Sequence, residues 1–311
     1  MIIKAPIDLE LTQNSGQTSQ PPWKLDNNIY SDVVVADNKA VLFQVKQKEN
    51  NLDFNFIGDI SNKEATKKIK TIFDLDFNLN KFYKYLNNQP ELADMTNFCR
   101  DLRLFLAKDK FECVISSVCS ANNSIVRWTK SIDDIKKSWG NKYTYSEKDY
   151  FTFPDVSDFK NIYCDDVEEF ECGSNLNNPG ECINNLKSCG VGYRAPYMKK
   201  ASEIFTLEMD LDDISKMSYG EAFDTMLKVP GVGPKVADCI LLYGFNFRQA
   251  FPTDVWIKRI VSYLYFDGKD INVSKIREFG MEEFGDYAGY VQLYLFHYAR
   301  MSGLMKKLKG M

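Results

Sequence analysis

Histidine is almost absent from this chain of 311 residues, which carries only His297. One imidazole cannot build a multi-histidine metal site, and it argues against a catalytic triad that depends on histidine. Long apolar runs are also lacking, since no stretch approaches the roughly 20 residues that a membrane-spanning helix needs. The N-terminal residues are too acidic, and their apolar run is too short, for a secretion signal. We therefore expect a soluble, intracellular protein without a membrane partner.

Cysteine is sparse as well, with eight residues in the whole chain. That number is too small for a disulfide framework at this length, so the cysteines are expected to be thiols in a reducing compartment. Apolar residues make up 44% of the chain and charged residues 26%, which excludes a disordered tail and a collagen-like fibre. The length allows one large domain or a few smaller ones.

The net charge of −4 argues weakly against a nucleic-acid partner, but the charge is distributed unevenly along the chain. Residues 155–189 hold eight acidic and two basic residues. The rest of the chain therefore carries a small excess of basic residues, which is compatible with a basic face on the folded protein.

The periodicity of apolar residues divides the chain into two parts. Residues 1–60 are predicted as strands, with a turn at Asp37-Asn38, which indicates an antiparallel sheet with one solvated face. From about residue 78 onward the apolar residues lie three or four apart, as in helices. We therefore predict an α+β fold, with a small N-terminal antiparallel β domain over residues 1–78 and an all-α body over residues 79–311.

The helical body is interrupted by an acidic, cysteine-containing insertion at about residues 155–189. The spacing of its cysteines lacks the close pair that is usual in zinc sites, so thiols or a local disulfide are expected rather than a metal. These cysteines are Cys164, Cys172, Cys182 and Cys189. The final Lys-Lys-Leu-Lys-Gly is predicted to be a solvated tail. Helices are predicted, among others, over residues 195–207, 219–229, 234–245, 254–265 and 290–302.

The most informative segment joins two of these predicted helices by a tight turn, Pro230-Gly231-Val232-Gly233. The first helix is predicted to end at Val229, and Pro234 takes the favoured first position of the second. Two glycines leave backbone N–H groups uncovered at the start of that helix, where the dipole is positive, which suits a phosphate. This pattern predicts a helix-hairpin-helix that binds a nucleic-acid backbone without reading its sequence. The alternative is a turn with a purely structural role.

Lys235 lies in the first turn of the second helix, where the dipole disfavours a cation, so stability explains it poorly. This placement and partial burial should lower its pKa, and a nucleophilic amine must be neutral. Cys239 follows one turn later on the same face. Asp254 is predicted as the N-cap of the next helix, which is often the only role of such a residue. A carboxylate near a neutral lysine would also stabilise a developing sugar cation.

These residues resemble the helix-hairpin-helix-Gly-Pro-Asp superfamily of DNA glycosylases, and its 8-oxoguanine DNA glycosylase branch in particular. The resemblance begins with Val-Pro-Gly-Val-Gly-Pro-Lys-Val-Ala-Asp-Cys-Ile, followed 19 residues after its lysine by Asp254. Four further segments match the family in the family's order: residues 14–17, 120–127, 190–197 and 287–296. Together these matches are far more specific than any one of them.

The resemblance implies an enzyme that removes 8-oxoguanine from duplex DNA after flipping the base out of the helix. Lys235 would attack the sugar C1′ and expel the base, and the resulting Schiff base would permit β-elimination and strand nicking. Asp254 would stabilise charge on the sugar. The partner would be damaged double-stranded DNA, the protein would be monomeric, and no cofactor or metal would be required. The compartment would be the cytoplasm or nucleoid of a prokaryote, or the nucleus of a eukaryote.

The resemblance also assigns residues to the recognition of the flipped base. The Gly16 carbonyl would accept a hydrogen bond from the N7–H that only the oxidised base carries. Gln292 would hydrogen-bond the edge of the base, since an amide offers both a donor and an acceptor. Phe296 and Cys239 would cover its two faces.

A second set of residues would occupy the gap in the DNA. Tyr193 would wedge into the base stack, and the orphaned cytosine would be held by Asn122, Arg127 and Arg194. The DNA phosphate at the hairpin would be bound by Gly231, Val232 and Gly233. A monovalent cation could bind there to the carbonyls of Leu227, Val229 and Val232. Trp256 stands where the family commonly has a histidine that contacts a phosphate.

Two alternatives remain open from the sequence. The first is a glycosylase of the same superfamily for another lesion, an alkylated base or a mispaired adenine. The second is a helix-hairpin-helix protein that binds DNA without catalysis. Lys235 and Asp254 argue against the second, because backbone binding requires neither of them.

Overall fold

The structure is a computed structural model that describes residues 1–36, 39–164 and 184–308. Its N-terminal part contains an antiparallel sheet of five strands in the order β1-β5-β4-β3-β2. These strands are Ile2–Ile3 (β1), Lys24–Asp26 (β2), Ile29–Ala36 (β3), Lys39–Lys48 (β4) and Asn51–Ile57 (β5). Two helices accompany the sheet, Leu9–Asn14 (α1) and Asn62–Ile72 (α2). The predicted turn at Asp37-Asn38 lies outside the described residues.

The sheet is buried on both faces at its centre, so the expectation of one solvated face is wrong there. On one face, side chains such as Phe43 pack with Ile69 and Ile72 of α2. On the other face, Val33 and Leu42 pack against Tyr150. Tyr150 belongs to a second antiparallel hairpin that the sequence analysis missed, formed by strands Lys142–Tyr145 (β6) and Lys148–Phe151 (β7).

The prediction of strands throughout residues 1–60 is also wrong at α1. Asp8 caps this helix, and its carboxylate accepts a hydrogen bond from the Leu11 N–H at 2.8 Å. Leu9 is buried, so the short helix contributes to the core beneath the sheet. A local cap and one buried leucine are enough to override the strand pattern of the surrounding residues.

The rest of the described chain is mainly helical. Its α-helices are Leu79–Asn87 (α3), Met95–Phe98 (α4), Lys110–Ser120 (α5), Ile125–Trp139 (α6), Val156–Phe159 (α7), Ala195–Leu207 (α8), Leu211–Ile214 (α9), Tyr219–Met226 (α10), Pro234–Phe245 (α11), Val255–Tyr265 (α12), Val273–Phe284 (α13), Ala288–Met301 (α14) and Leu304–Leu308 (α15). Short 3-10 turns are Leu186–Cys189, Gly192–Arg194 and Gly285–Tyr287. Within the described ranges, no helix combines the length and apolar character that a bilayer span requires.

Helices α8 and α11 have the predicted bounds, and two other predictions need correction. Helix α10 ends at Met226, three residues before the predicted end at Val229. Of the predicted solvated tail, Lys306 and Lys307 are exposed but belong to α15, Leu308 is buried in the core, and residues 309 and 310 lie outside the described residues. The described ends of the acidic insertion are packed, with Phe159 and Leu186 fully buried, and residues 165–183 lie outside the description. The limits predicted for the two domains, at residues 78 and 79, stay a prediction.

Helix α11 lies between two hydrophobic cores of the helical body, which explains why nearly all of its residues are buried. Cys239, Leu242 and Tyr243 contribute to the core that also contains α14. Val236 and Ile240 contribute to the other core, with α5, α6 and α8. A helix fixed on both sides can hold a reactive group at its N-terminus in one position.

A buried ion pair ties α11 to two neighbouring helices. Asp238 is fully buried, and Arg277 of α13 binds its carboxylate in a bidentate fashion, with Nε–Oδ2 at 2.6 Å and Nη2–Oδ1 at 3.0 Å. The Tyr219 hydroxyl of α10 donates a hydrogen bond to the same carboxylate. The Arg277 guanidinium also stacks on Phe223 of α10. The ion pair therefore fixes both helices of the hairpin to α13.

We expect Arg277→Met to lower the free energy of unfolding by about 3–5 kcal/mol, because Asp238 would remain as an unpaired buried carboxylate. Burial raises the pKa of Asp238, while Arg277 and Tyr219 oppose that rise. Without Arg277 this pKa rises further above its unfolded value, so the loss of stability should be largest at neutral pH and smaller in acid. Urea unfolding at several pH values measures both effects. The exposed Lys275 of the same helix provides the control, since Lys275→Met should change stability by no more than about 0.5 kcal/mol. A loss of the same size at every pH would contradict the role given to the Asp238 charge.

Candidate active site

The structure brings together, in one cavity, six residues predicted from the sequence for chemistry or base recognition. The cavity is formed by the segment after α1, the N-terminal half of α11, the start of α12 and one face of α14. The six residues are Gly16, Lys235, Cys239, Asp254, Gln292 and Phe296. Segments separated by most of the chain therefore converge on one place.

The catalytic candidates are positioned by local features of two helices. Pro234 is the first residue of α11, so the half-buried Lys235 lies in its first turn, and Cys239 follows one turn later with 3% of its surface exposed. Asp254 is the N-cap of α12, as predicted, and its Oδ1 accepts a hydrogen bond from the Ile257 N–H at 2.8 Å. The cap fixes the carboxylate at the edge of the cavity that Lys235 also lines, and its charge acts on the lysine.

The pKa of Lys235 is raised, so the expectation of a lowered pKa is wrong. Burial of the ammonium lowers this pKa, as expected, but Cys239 and the carboxylate of Asp254 raise it by more. The helix dipole and burial can be inferred from the sequence, whereas the charges close to the amine are brought there by the fold. The amine must therefore lose a proton against the field of Asp254 before it can act as a nucleophile.

Gln292 and Phe296 lie one turn apart on α14 and present a polar and an aromatic group to the cavity. Only 9% of Gln292 is exposed, and its Oε1 atom has no hydrogen-bond partner among the residues that the structure describes. A buried oxygen without a donor costs about 1–3 kcal/mol, which a ligand with an N–H group would recover. The arrangement therefore suits a flat ligand with a hydrogen-bonding edge, such as a nucleobase.

Gly16 lies at a left-handed turn, with φ of +85°, where other residues are strained. A Cβ atom at this position would lie 2.5 Å from Cδ1 of Ile125, so α6 packs directly against the turn. The next residue, Gln17, also holds the turn in place through two hydrogen bonds of its side chain. Its Nε2 donates to the Arg103 carbonyl at 3.0 Å, and its Oε1 accepts from the Phe105 N–H at 2.8 Å. Gly16 is thereby held at the cavity by two parts of the fold.

Other residues of the cavity were not predicted from the sequence. They are Ser15, Gln17, Thr18, Tyr243, Pro252 and Leu293. Tyr243 could have been found, because it lies one turn after Cys239 on the same face of α11. Thr18 carried no such signal, since its place in the cavity depends on how the N-terminal segment packs.

The residues predicted for the gap in the DNA lie outside this cavity. Tyr193 is 58% exposed, Arg127 is exposed, and Asn122 is exposed with a left-handed φ of +50°. Arg194 is buried and differs from the others, because its guanidinium donates to the carbonyls of Ala121 and Asn122. These bonds give Arg194 a role in holding the Asn122 segment in place, and its contact with an orphaned base stays a prediction.

The turn of the hairpin has the backbone geometry that its glycines predict. Gly231 has φ of +80°, and a Cβ atom there would lie 2.6 Å from the ring of Tyr197. Gly233 is the N-cap of α11, and none of the described side chains caps this helix end. Val232 completes the turn, and its N–H binds the Val229 carbonyl at 3.0 Å. The contact with Tyr197 places the turn beside Tyr193, whose ring centre lies 6.5 Å from that of Tyr197.

Two other predictions concern Trp256 and the cysteines. Trp256 cannot carry a positive charge as a histidine can, but the guanidinium of Arg259 lies 5.4 Å from the centre of its ring, so a cation is present beside it. Cys189 is a buried free thiol and Cys164 is half-buried, whereas Cys172 and Cys182 lie outside the described residues. Within the described part of the chain, no group of His, Cys, Asp and Glu side chains is arranged to hold a metal. The monovalent cation at Leu227, Val229 and Val232 stays a prediction.

The helix-hairpin-helix, with a lysine in its second helix and an aspartate at the next N-cap, defines a DNA glycosylase of the helix-hairpin-helix-Gly-Pro-Asp type. Family models agree: residues 1–114 match the N-terminal domain of 8-oxoguanine DNA glycosylase, and residues 115–285 match the HhH-GPD superfamily of base excision DNA repair proteins. The chain belongs to the 8-oxoguanine DNA glycosylase family within that superfamily. The predicted family and the α+β fold class are confirmed.

Individual relatives are similar over nearly their full length. A protein of Methanothermobacter thermautotrophicus called a probable N-glycosylase/DNA lyase is 44% identical over 97% of this chain and 96% of its own. The 8-oxoguanine glycosylase/lyase of Clostridium acetobutylicum, solved with double-stranded DNA containing cytosine opposite 8-oxoguanine, has a TM-score of 0.78 at 28% identity. That match covers 97% of this chain and 98% of the other. The N-glycosylase/DNA lyase of Saccharomyces cerevisiae is 26% identical over 95% of this chain and 84% of its own.

Proposed function

We propose that this protein is an N-glycosylase/DNA lyase that excises 8-oxoguanine from duplex DNA and nicks the strand at the resulting site. The observation that carries the proposal is the cavity in which Lys235 and Asp254 lie with Gln292 and Phe296. A nucleophile, a carboxylate, a hydrogen-bonding amide and an aromatic face together can bind a nucleobase and act on its sugar. The names of the relatives describe this same pair of activities.

The flipped base is bound between Phe296 and the Cys239 side of α11, with its edge on Gln292. The unpaired Oε1 atom of Gln292 accepts a hydrogen bond from an N–H group of the base. The Gly16 carbonyl accepts from the N7–H of 8-oxoguanine, a hydrogen that guanine lacks. One such bond contributes about 0.5–1.5 kcal/mol, and a buried carbonyl left unpaired costs about 1–3 kcal/mol. The field of Lys235 and Asp254 adds to this discrimination.

The reaction begins when the neutral amine of Lys235 attacks C1′ of the flipped nucleotide. The bond between C1′ and the base nitrogen breaks, the electron pair leaves with the base, and the base takes up a proton. Asp254 stabilises the positive charge that develops on the sugar. The nitrogen then loses a proton and the C1′–O4′ bond breaks, O4′ keeps the electron pair and takes up a proton, and the open-chain Schiff base results. Loss of a proton from C2′ then expels the 3′ phosphate, which nicks the strand, and water finally releases Lys235.

DNA is bound by the exposed face that surrounds this cavity. The turn at Gly231, Val232 and Gly233 presents the N-terminus of α11 to a phosphate. Tyr193 fills the gap left by the flipped base, which offsets part of the few kcal/mol that unstacking costs. Asn122, Arg127 and Arg194 receive the orphaned cytosine. Because the cavity is complete in one chain, the enzyme acts as a monomer, in the nucleoid or cytoplasm of a prokaryote or the nucleus of a eukaryote.

The other lesions considered from the sequence fit the cavity less well. An alkylated base or adenine lacks the N7–H for the Gly16 carbonyl, so that contact would be lost. A protein that binds DNA without catalysis has no need for a lysine held beside a carboxylate in a cavity.

The proposal is tested by treating the wild-type protein with sodium borohydride in the presence of duplexes that carry 8-oxoguanine opposite each of the four bases. We expect a covalent protein–DNA adduct and a nicked strand, most abundantly opposite cytosine, and neither with undamaged guanine. Duplexes with an alkylated base or with adenine opposite guanine are the matched controls for the other lesions. Binding that weakens with salt but gives no adduct and no free base would mean that the protein only binds DNA.

A further inference from the structure

A groove of about 360 Å³ lies along α12, and the function proposed above does not use it. It begins at Val255, the residue after Asp254, and extends two helical turns further to Ser262. Its other wall includes residues 268–270 of the loop that follows α12. Because Asp254 lines the active-site cavity, the groove and the cavity meet at the start of α12.

Basic side chains predominate in this groove. Lys258, Arg259 and Lys269 line it, together with one carboxylate, that of Asp270. A fourth cation is Lys307 of α15, whose Nζ donates a hydrogen bond at 2.7 Å to the hydroxyl of Tyr263 in the groove wall. The chain as a whole has a net charge of −4, so a local excess of cations is not a general property of its surface. Such a groove favours an anionic ligand.

A buried hydroxyl in the same groove has nothing to bind. Ser262 is 5% exposed, and its Oγ atom has no hydrogen-bond partner in the part of the chain that the structure describes. A buried polar atom without a partner is unfavourable, and a phosphate oxygen in the groove would accept the hydrogen of this hydroxyl. The Ser262 carbonyl, by contrast, accepts from the N–H groups of Phe266 and Gly268 at 3.0 and 2.9 Å. These two bonds fix the loop to α12 beside the unpaired hydroxyl.

The loop also carries the carboxylates that oppose an anion here. Asp270 is paired with Lys258 at 2.6 Å, and Asp267 lies 4.0 Å from Lys269. The side chains of these two aspartates are 89% and 92% exposed. Exposed ion pairs contribute little to stability, so Lys258 can exchange Asp270 for a phosphate at small cost.

We propose that this groove binds a backbone phosphate of the DNA strand that carries the lesion, through the hydroxyl of Ser262 and the ammonium of Lys258. The two residues lie four apart on one face of α12. Ser262 follows Asp254 by eight residues, about 12 Å along the helix axis, so the phosphate belongs to a nucleotide beside the flipped one. The inference rests on the function proposed above, because Asp254 must act on the sugar of the flipped nucleotide in the same strand.

Equilibrium binding to a duplex that contains a tetrahydrofuran analogue of an abasic site tests the proposal without turnover. Ser262→Ala should weaken binding about 3- to 10-fold, because one hydrogen bond to the phosphate is lost. The same substitution removes an unpaired buried hydroxyl, so the urea midpoint of unfolding should not fall. Ser116→Ala is the matched control, since Ser116 is also a buried serine without a partner among the described residues and lies outside the groove. It should leave the affinity unchanged.

The charges of the groove make two predictions of opposite sign. Lys258→Gln should weaken binding and make the slope of log affinity against log salt shallower by about one. Asp270→Asn should strengthen binding by about 3-fold, because it removes the carboxylate that competes with the phosphate. Asp59→Asn is the control, since Asp59 is 92% exposed and paired with Lys39 at 2.6 Å outside the groove, and it should have no effect. Unchanged or weaker binding by Asp270→Asn would contradict the proposal.

The decisive experiment replaces the phosphates of the lesion strand, one at a time, by neutral methylphosphonates. At one position beside the lesion, the replacement should weaken binding by the wild-type protein and have little further effect on Ser262→Ala and Lys258→Gln. Effects that add at every position of this strand, or a coupled position in the opposite strand only, would overturn the inference. In both cases the wild-type protein can still release 8-oxoguanine, so these results are distinct from a failure of the proposed function, in which no base is released.

Discussion

Lys235→Gln is expected to abolish the covalent adduct with 8-oxoguanine duplex and to slow base release by roughly 10³-fold or more, because glutamine has no nucleophilic amine. Binding of the damaged duplex should persist. The turn at Gly231 and Gly233 is proposed to bind through its backbone, and the substitution should leave the start of α11 intact. Borohydride trapping, single-turnover base release and a binding assay on the same duplex measure the three quantities.

The control is Lys67→Gln, which removes an exposed lysine of α2 that does not line the cavity. It should give the adduct at the wild-type level. If Lys235→Gln still forms an adduct in normal yield, another amine is the nucleophile, and the assignment of the cavity as the active site is wrong.

Asp254→Asn is expected to slow base release by roughly 10²–10³-fold, because the charge that stabilises the developing sugar cation is removed. The fold should be unaffected. Asparagine caps a helix about as well as aspartate, so the bond from the Ile257 N–H is kept. Asp254→Ala is the matched comparison, since it loses the charge and the cap together and should be less stable by about 1 kcal/mol.

The pH dependence of the Asp254→Asn variant provides a second test with a defined sign. Asp254 is one of the two groups that raise the pKa of Lys235, so its neutralisation should lower that pKa. The free amine then forms at lower pH, and the rising part of the pH–rate profile should move to lower pH while the maximal rate falls. A variant that loses rate with no shift of the profile would mean that Asp254 does not act on Lys235.

Several parts of the site could be predicted because they depend on short stretches of sequence. A proline after a Gly-Val-Gly turn starts a helix, which places Lys235 in its first turn and Cys239 one turn later on the same face. An aspartate before an apolar helix becomes its N-cap, which fixes Asp254. Gln292 and Phe296 fall on one face of a helix by their spacing. The helix at Leu9–Asn14 and the burial of Leu308 were not predicted. Both depend on which distant surface each segment packs against.

The sequence by itself thus determined the family, the helix that carries the lysine, and the identity of the groups available for chemistry. Only the tertiary structure decided how those groups affect one another. The pKa of Lys235 is raised, whereas the sequence predicts that it is lowered. Burial does lower it, but Asp254 and Cys239 act through space and outweigh burial. Arg194 is committed to backbone carbonyls, and the Thr18 hydroxyl lies 3.2 Å from that of Ser117, 99 residues away along the chain. Electrostatic and hydrogen-bonding effects depend on distances between segments, which local sequence patterns do not contain.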